Sequence, residues 1–303
     1  MFDKYLIDTA ITKQEQRPES VAIRRDYPSY HSLMISEKGS VFKLLGTSIK
    51  TAKQVDGRNV VIRPLYLAPH RQAGWEWESR DRYAQPVLDE HGKPKMRYPT
   101  LNMCPFAGAC ADSCLSTSGK RRFHTRYAVD KTRAFVAYPR QFLLELVKDI
   151  SRWAHHAHVD GQLLYVRLDG TSDNRWERFI DMEAIVKDFA GLGGFYDYTK
   201  FPLGLRKQSP VHHLTYSIDE NDASLRRAAE YKAAGYPFAV VVDHNDKKKL
   251  MKLEGVQVTD GDKSDQRWFD TGLVVLKAKG ITGKYKEKGK GLIRTFGQVL
   301  ELL

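Results

Sequence analysis

The sequence predicts an α/β fold whose parallel strands form an open sheet or close into a TIM-barrel-like β/α barrel, preceded by a β-rich, irregular N-terminal region. Two observations predict this fold. Short apolar runs alternate with helical patterns from residue 162 onward, and such alternation produces parallel sheets. One run, at residues 238–243, is almost wholly apolar, as expected of a strand buried on both faces.

The chain is long enough for one large domain or two smaller ones. It has 303 residues, of which 42% are hydrophobic, so a sizeable core can form. We predict a β-rich extension over residues 1–100, a barrel-like domain over residues 101–280 and a basic tail with a short helix over residues 281–303. Residues 1–28 are polar and mixed in charge, which predicts a poorly packed arm or a short helix.

Two helices are predicted in the middle of the chain. Residues 124–137 and 140–154 carry apolar residues at helical spacing, and Pro139 separates them. The second helix is closed by three histidines, His155, His156 and His158. Histidines at this position suit the dipole at a helix C-terminus, so a capping role is favoured over metal binding.

The remaining predicted elements complete the alternation. Strands are predicted at residues 59–67, 162–168, 194–200, 212–217, 238–243, 255–258 and 271–279, and helices at residues 177–190 and 221–234. Gly191 and Gly235 stand where these two helices would end, a position that favours glycine.

All three cysteines of the chain, Cys104, Cys110 and Cys114, lie within a single short loop. An odd number of cysteines cannot pair off completely as disulfides, and three thiolates so close in sequence can converge on one point. Thiolates are soft ligands that select zinc, cuprous copper and iron–sulfur clusters. The loop therefore predicts a metal site.

The spacing of the loop favours a [4Fe–4S] cluster with one iron left open. Structural zinc usually takes two short ligand pairs far apart in the chain, and here there is one group of three cysteines. Two alternatives remain. Zinc could take His124 or Asp112 as its fourth ligand, or the three cysteines could be reduced and buried without any metal.

Three segments together resemble a known family. They are the cysteine loop, residues 167–173 with Trp176 and Glu177 after them, and residues 195–200. Over about residues 101–279 the chain resembles the phage gene-product-eighty-eight family, a group of unassigned function regarded here as iron–sulfur proteins. It is more remotely similar to radical S-adenosylmethionine (SAM) enzymes.

The likeness to radical SAM enzymes is a three-cysteine loop followed by alternating strands and helices. It implies a complete or partial radical-SAM-like barrel, a cluster whose open iron binds SAM, and a reductant protein as partner. The spacing here is Cys-x5-Cys-x3-Cys, whereas the usual spacing is Cys-x3-Cys-x2-Cys. Ser113 precedes the last cysteine where an aromatic residue is usual, and there is no clear Gly-Gly-Glu motif.

Polar residues follow two of the predicted strands. Asp169, Gly170, Thr171, Ser172 and Asp173 follow the strand at residues 162–168, and Lys200 ends the strand at residues 194–200. Functional residues of α/β barrels gather at the carboxyl ends of strands, so we expect this set to lie beside the cysteine loop and bind a cofactor. Gly170 would supply an unusual backbone angle. The alternative is a turn in which Ser172 or Asp173 caps the next helix.

Asp197 alternates with Tyr196 and Tyr198 on a predicted strand, so it points to the opposite face of the sheet. A buried carboxylate needs a partner. We expect a structural salt bridge between Asp197 and either Arg167 or Lys200.

The formal net charge is +12, which favours anionic partners and makes a nucleotide or nucleic-acid substrate the expected one. No stretch has the length of a transmembrane helix or the apolar core of a signal peptide, so no membrane partner is expected. Ligating cysteines indicate a reducing compartment, which would be the cytoplasm of an infected host cell.

These observations predict a [4Fe–4S] protein that leans towards a radical-SAM-like enzyme acting on a nucleotide or nucleic acid. Two other functions stay open. One is a non-catalytic iron–sulfur redox or binding protein, and the other is a zinc-stapled nucleic-acid-binding protein.

Overall fold

A parallel sheet forms the centre of the fold. The computed structural model describes residues 2–35, 39, 41–47, 59–81, 84–111, 114, 125–278 and 292–303. Its strands are β1 (Val60–Pro64), β2 (Leu163–Arg167), β3 (Leu192–Thr199), β4 (His212–Ser217), β5 (Phe238–Val242), β6 (Val258–Asp260), β7 (Leu273–Lys277) and β8 (Ile293–Arg294). They are ordered β1-β2-β3-β4-β5-β7-β6, and β8 pairs with β5.

Helices precede and interrupt the strands. They are α1 (Asp8–Glu15), α2 (Pro18–Asp26), α3 (Tyr30–Met34), α4 (Thr125–Ala137), α5 (Pro139–Val159), α6 (Met182–Asp188), α7 (Asp222–Ala233), α8 (His244–Leu250) and α9 (Phe296–Leu300). Most of the predicted strands and helices are confirmed. The helix predicted at residues 177–190 is instead a 3-10 turn, Trp176–Arg178, followed by α6.

The helices pack on one side of the sheet, and strand alternation explains which side chains meet them. Leu164, Val166 and Phe195 share one large core with residues of α4, α5 and α6. Val240 and Val275 share a second core with residues of α7, α8 and α9. The result is a mixed α/β fold with a curled parallel sheet that forms a half-barrel.

The opposite side of the sheet, here called the inner face, is covered by residues 261–270, here called the covering loop. Trp268 stacks on Tyr165 of β2, with ring centroids 3.6 Å apart and planes 3° apart. The same indole meets Tyr196 of β3 edge-on at 5.3 Å. A half-barrel has an inner face that would otherwise expose aromatic rings to water, and this loop buries them.

The N-terminal region differs from the sequence prediction. Up to residue 35 it is helical, and Ile11 and Ile23 are fully buried against the main core. A poorly packed arm is therefore wrong and short helices are confirmed. Of the described residues up to 100, only β1 joins the sheet. The prediction of a β-rich region is therefore wrong. Its irregular character is confirmed by isolated bridges such as the one between Trp75 and Met96.

Other local predictions have mixed outcomes. The three histidines at the end of α5 are exposed. The short helix of the tail is confirmed as α9, whereas most of the basic stretch before it lies outside the described residues. Within the described residues, no helix is both long and apolar enough to cross a membrane.

Candidate functional site

The cysteine loop, described up to residue 111 and at Cys114, contacts the segments that follow the carboxyl ends of the central strands. The Cys104 thiol donates to the Thr171 carbonyl, with 3.8 Å between sulfur and oxygen. The Asp173 amide donates to the Met103 carbonyl at 3.0 Å. These contacts join the loop to the segment that follows β2, as the sequence predicts for residues at the carboxyl ends of strands.

A second attachment joins the loop to the segment after β4. The Ala109 amide donates to Glu220 Oε1 at 2.7 Å. Gly108 has φ of +41°, and a Cβ at this position would stand 2.1 Å from the same carboxylate oxygen. The backbone angle favours glycine at residue 108, and any larger side chain would also have to displace the Glu220 carboxylate.

The three thiols occupy similar environments. Cys104, Cys110 and Cys114 are all partly buried and free of disulfides. Burial raises the pKa of the Cys104 thiol well above its ordinary value, and it also raises the pKa of Cys110, where Lys200 acts in the opposite direction. The charge of Cys114 contributes to both shifts, so the three sulfurs lie close enough to interact electrostatically.

Among the residues that the structure describes, no group of three or more His, Cys, Asp or Glu side chains is arranged to hold a metal ion. The alternative zinc ligands Asp112 and His124 lie outside the described residues. The chemistry of the donors still fits a soft metal, because thiolates are soft ligands and Lys200 places a positive charge beside Cys110.

Asp169 is fully buried and organises its own loop. Its carboxylate accepts hydrogen bonds from Ser172 Oγ at 2.8 Å, from the Asn174 amide at 3.0 Å and from Trp176 Nε1 at 3.1 Å. The expected helix cap by Ser172 or Asp173 is not formed, since the 3-10 turn at Trp176–Arg178 has no side-chain cap. Asp169 thus fixes the shape of residues 169–174 from inside.

Gly170 and Thr171 hold this loop against β1. The expected unusual backbone angle at Gly170 is wrong, because Gly170 is not among the described glycines with positive φ. A Cβ at this position would stand 2.6 Å from the Leu65 carbonyl oxygen and 2.6 Å from the Tyr66 ring. Glycine is needed there for close packing, and the Thr171 hydroxyl adds a hydrogen bond to the Leu67 carbonyl at 2.5 Å.

Asp173 and Lys200 join the ends of β2 and β3. Asp173 accepts from the Thr199 hydroxyl at 2.9 Å and from the Lys200 amide at 2.8 Å. The Lys200 ammonium donates to the Ser217 carbonyl at 3.1 Å and lies near the Cys110 thiol. Of the predicted cofactor-binding residues, Lys200 is therefore the cation that the fold brings to the cysteines.

A buried ion pair, Arg206 with Glu177, connects the segments that follow β2 and β3. The Arg206 guanidinium donates from Nε and Nη2 to the two oxygens of Glu177, at 2.9 and 3.1 Å. Its third nitrogen donates to the Thr199 hydroxyl at 3.1 Å and lies 3.7 Å from Asp173. Arg206 thus joins residues that follow β2 to the end of β3.

The expected salt bridge of Asp197 is wrong. Asp197 contacts His212 Nε2 at 3.0 Å and accepts from the Asp169 amide at 2.6 Å. Arg167 pairs with Asp265 instead, on the inner face. Burial raises the pKa of Asp197 to about 7 and lowers that of His212 to about 3, so below neutral pH a protonated carboxyl faces a neutral imidazole.

This burial predicts how stability depends on pH. The unfolded Asp197 carboxyl loses its proton near its ordinary pKa, about 3.9, whereas the folded one keeps it to about 7. Its stabilising effect is complete below the unfolded pKa and is lost as pH rises through the folded pKa. Between pH 5.5 and 7.5, the free energy of unfolding should fall by about 1–2 kcal/mol more in the wild type than in Asp197→Asn.

Urea denaturation at several pH values measures this difference. His212 is present in both proteins, and a second variant, Asp188→Asn, removes an exposed carboxylate that pairs with Lys4 at the surface. Asp188→Asn should keep the wild-type slope over this pH range. Equal slopes for the wild type and Asp197→Asn would contradict the buried, protonated carboxyl.

Several residues of the site have no local signal in the sequence. Arg206 stands in a short polar loop, and Glu220 lies between β4 and α7, so neither follows a pattern that predicts burial. His212 faces Asp197 only because β3 and β4 pair in parallel, with Phe195 opposite His212. Their roles become visible once the pairing of strands is known.

Comparison with known proteins gives one match. A family model described as "Gene product 88" matches residues 76–295, a range that contains the cysteine loop and every predicted site residue. No curated protein matches the chain, and no solved structure matches it.

Proposed function

The chain belongs to the gene product 88 family, a phage gene-product family, and we propose that its cysteine loop holds a [4Fe–4S] cluster. Cys104, Cys110 and Cys114 would each ligate one iron, which leaves the fourth iron without a protein ligand. When bound, such a cluster supplies an electron and an open coordination site, for which SAM is the candidate ligand. We propose an enzyme with an anionic substrate, a nucleotide or a nucleic acid, in the host cytoplasm.

One observation carries the proposal: the fold seats the cysteine loop on the carboxyl ends of parallel strands. The thiol of Cys104 contacts the segment after β2, and the turn that bears Cys110 is held by Glu220 after β4. Ligands and reacting groups of open and closed parallel α/β sheets collect at this end. A loop held only at the surface, away from the strand ends, would not support this function.

The surrounding residues would support a negatively charged centre. Burial raises the pKa of the Cys104 and Cys110 thiols, and a bound metal reverses this by favouring the thiolate. Metal uptake would then release protons. Lys200, fixed by Ser217, places a positive charge beside Cys110 and would offset part of the charge of the bound thiolates.

The predicted cofactor-binding segment at residues 169–173 would act mainly by positioning. Its two carboxylates already accept hydrogen bonds from their own and neighbouring segments. It holds the Thr171 carbonyl against Cys104. We therefore propose that this segment keeps Cys104 in place, and that Lys200 is the residue of the set that interacts with the cofactor.

Anaerobic purification of the wild type and of single Cys→Ala variants at residues 104, 110 and 114 tests the proposal. We expect a brown wild-type protein with about four irons and four sulfides per chain, and loss of the visible absorption in each variant. Ser113→Ala changes the same loop without removing a thiol and should keep the iron. A colourless wild type that contains zinc would overturn the cluster and support a zinc-stapled protein.

The enzymatic part of the proposal has its own test. SAM is added to the reconstituted, reduced protein, and its binding and cleavage are measured by equilibrium dialysis and chromatography. Binding with cleavage supports an enzyme that needs a reductant protein as partner. A protein that holds the cluster and reduces reversibly, yet neither binds nor cleaves SAM, would instead be a redox or binding protein.

A further inference from the structure

The inner face of the half-barrel carries a group of buried polar side chains whose atoms lack partners. Thr215 is fully buried, and Arg267, Gln266 and Trp268 are 1%, 5% and 8% exposed. Two neighbours, Arg167 and Tyr198, belong to the same group. Across these six residues, six polar atoms have no hydrogen-bond partner within the described residues: Arg167 Nε, Tyr198 Oη, Thr215 Oγ1, Gln266 Nε2, Arg267 Nε and Trp268 Nε1. Buried polar atoms are rarely left unpaired, so this concentration calls for an explanation.

Strand pairing and contacts bring these residues together. Tyr198 lies opposite Thr215 in the register of β3 and β4, so their side chains share one face of the sheet. The Arg167 guanidinium lies 4.9 Å from the centre of the Tyr198 ring. The pKa of Tyr198 is raised mainly by burial and responds to both Arg267 and Arg167, which places both guanidinium groups near its hydroxyl.

The six atoms named above share one chemical character. Four of them are N–H groups, which can only donate, and the two hydroxyls of Tyr198 and Thr215 can donate as well. The charges nearby are already balanced, because Arg167 pairs with Asp265 at 3.0 Å and Arg267 pairs with Asp270 at 2.7 Å. The site therefore offers hydrogen-bond donors in excess of acceptors, together with the stacked rings of Tyr165 and Trp268.

We propose that these donors, where the inner face meets the covering loop, bind a small oxyanion group, a phosphate or a carboxylate. A tetrahedral or planar oxyanion presents several acceptor oxygens within a small volume and can satisfy donors from three directions at once. β2, β3 and β4 supply one side of the site, and the covering loop supplies the other. This site contains no cysteine, so the proposed oxyanion binding can be tested independently of the proposed cluster.

The indole N–H of Trp268 allows a direct test by ¹⁵N NMR of the full chain. Its resonance is identified as the one that disappears in Trp268→Phe, and the wild type is titrated with inorganic phosphate and, separately, with acetate. We expect one or both probes to shift this resonance in a saturable manner. A response to phosphate alone identifies a phosphate site, and a response to acetate alone identifies a carboxylate site.

Two conservative variants test the donors. Tyr198→Phe and Thr215→Val each remove a hydroxyl that has no hydrogen-bond partner among the residues that the structure describes, so both should fold with wild-type stability. We expect each to weaken binding of the active probe by about tenfold. A merely structural role would predict a change in stability and no change in binding.

Two controls keep the outcome decisive. Tyr231→Phe removes a buried hydroxyl that donates to the Phe201 carbonyl at 3.1 Å, so it should lower stability and leave binding unchanged. Cys110→Ala should bind the probe as the wild type does, whatever its iron content. The inference is overturned if neither probe shifts the Trp268 resonance at about 10 mM, a concentration that would detect even millimolar affinity, or if Tyr198→Phe and Thr215→Val bind as the wild type does.

Discussion

Replacing Arg206 with methionine is expected to destabilise the protein by about 3–5 kcal/mol, the range found when one partner of a buried ion pair is removed. The guanidinium side chain is fully buried, and both oxygens of Glu177 accept from it. Methionine fills much of the same space but leaves the Glu177 carboxylate buried without its partner. Urea denaturation followed by far-UV circular dichroism measures the loss.

A double variant separates the cost of the unpaired charge from the cost of lost packing. In Arg206→Met with Glu177→Leu, neither member of the Arg206–Glu177 pair carries a charge, so the double variant should be more stable than Arg206→Met alone. A neighbouring control, Arg175→Met, changes an arginine that is only partly buried and should cost much less. If the double variant were less stable than Arg206→Met, the unpaired carboxylate would not be the cause of the destabilisation.

The elements of the sheet could be predicted because their signals are local. The strand predicted at residues 212–217 has the same bounds as β4, and the helix predicted at residues 124–137 differs from α4 by one residue. Apolar spacing decides both. The position of the cysteine loop at the strand ends is implied by the resemblance to radical SAM enzymes and by no local pattern of the loop itself.

The buried charges of the site could not be predicted because their partners are distant in sequence. Arg206 is 29 residues from Glu177, and Asp197 is 15 residues from His212. A basic residue in a loop between two strands has the same local pattern whether it is exposed or buried. The partner of Arg167 is hidden for the same reason, since Asp265 reaches it from a segment 98 residues away.

The burial of the covering loop could not be predicted from the sequence either. Residues 261–270 are mostly charged or polar, a composition typical of an exposed turn, yet Asp265, Arg267 and Trp268 are almost completely buried. The cause is the shape of the sheet, because a half-barrel leaves an inner face that some other segment must cover. Whether a sheet closes depends on strand tilt and stagger, and neither is encoded in the local pattern of any one strand.

Replacing Trp176 with alanine is the second change expected to have a large effect, about 3–5 kcal/mol, as for other large buried aromatic residues. The indole is completely buried and packs against the Phe135 ring at 4.9 Å between centroids. It also donates to Asp169. Trp176→Phe keeps most of the packing and removes the hydrogen bond, so it should cost about 1–2 kcal/mol. Thermal and urea denaturation measure both losses.

The two functions of Trp176, packing and orientation of Asp169, can be separated by their effect on the cysteines. Asp169 shapes the loop whose Thr171 carbonyl contacts the Cys104 thiol. In Trp176→Phe we therefore expect faster alkylation of Cys104 by iodoacetamide in the metal-free protein, detected by peptide mass spectrometry. Phe135→Leu perturbs the same core and makes no bond to Asp169, so it should lower stability without this change. Equal alkylation rates in the two variants would show that packing alone, without the hydrogen bond to Asp169, holds the cysteine loop in place.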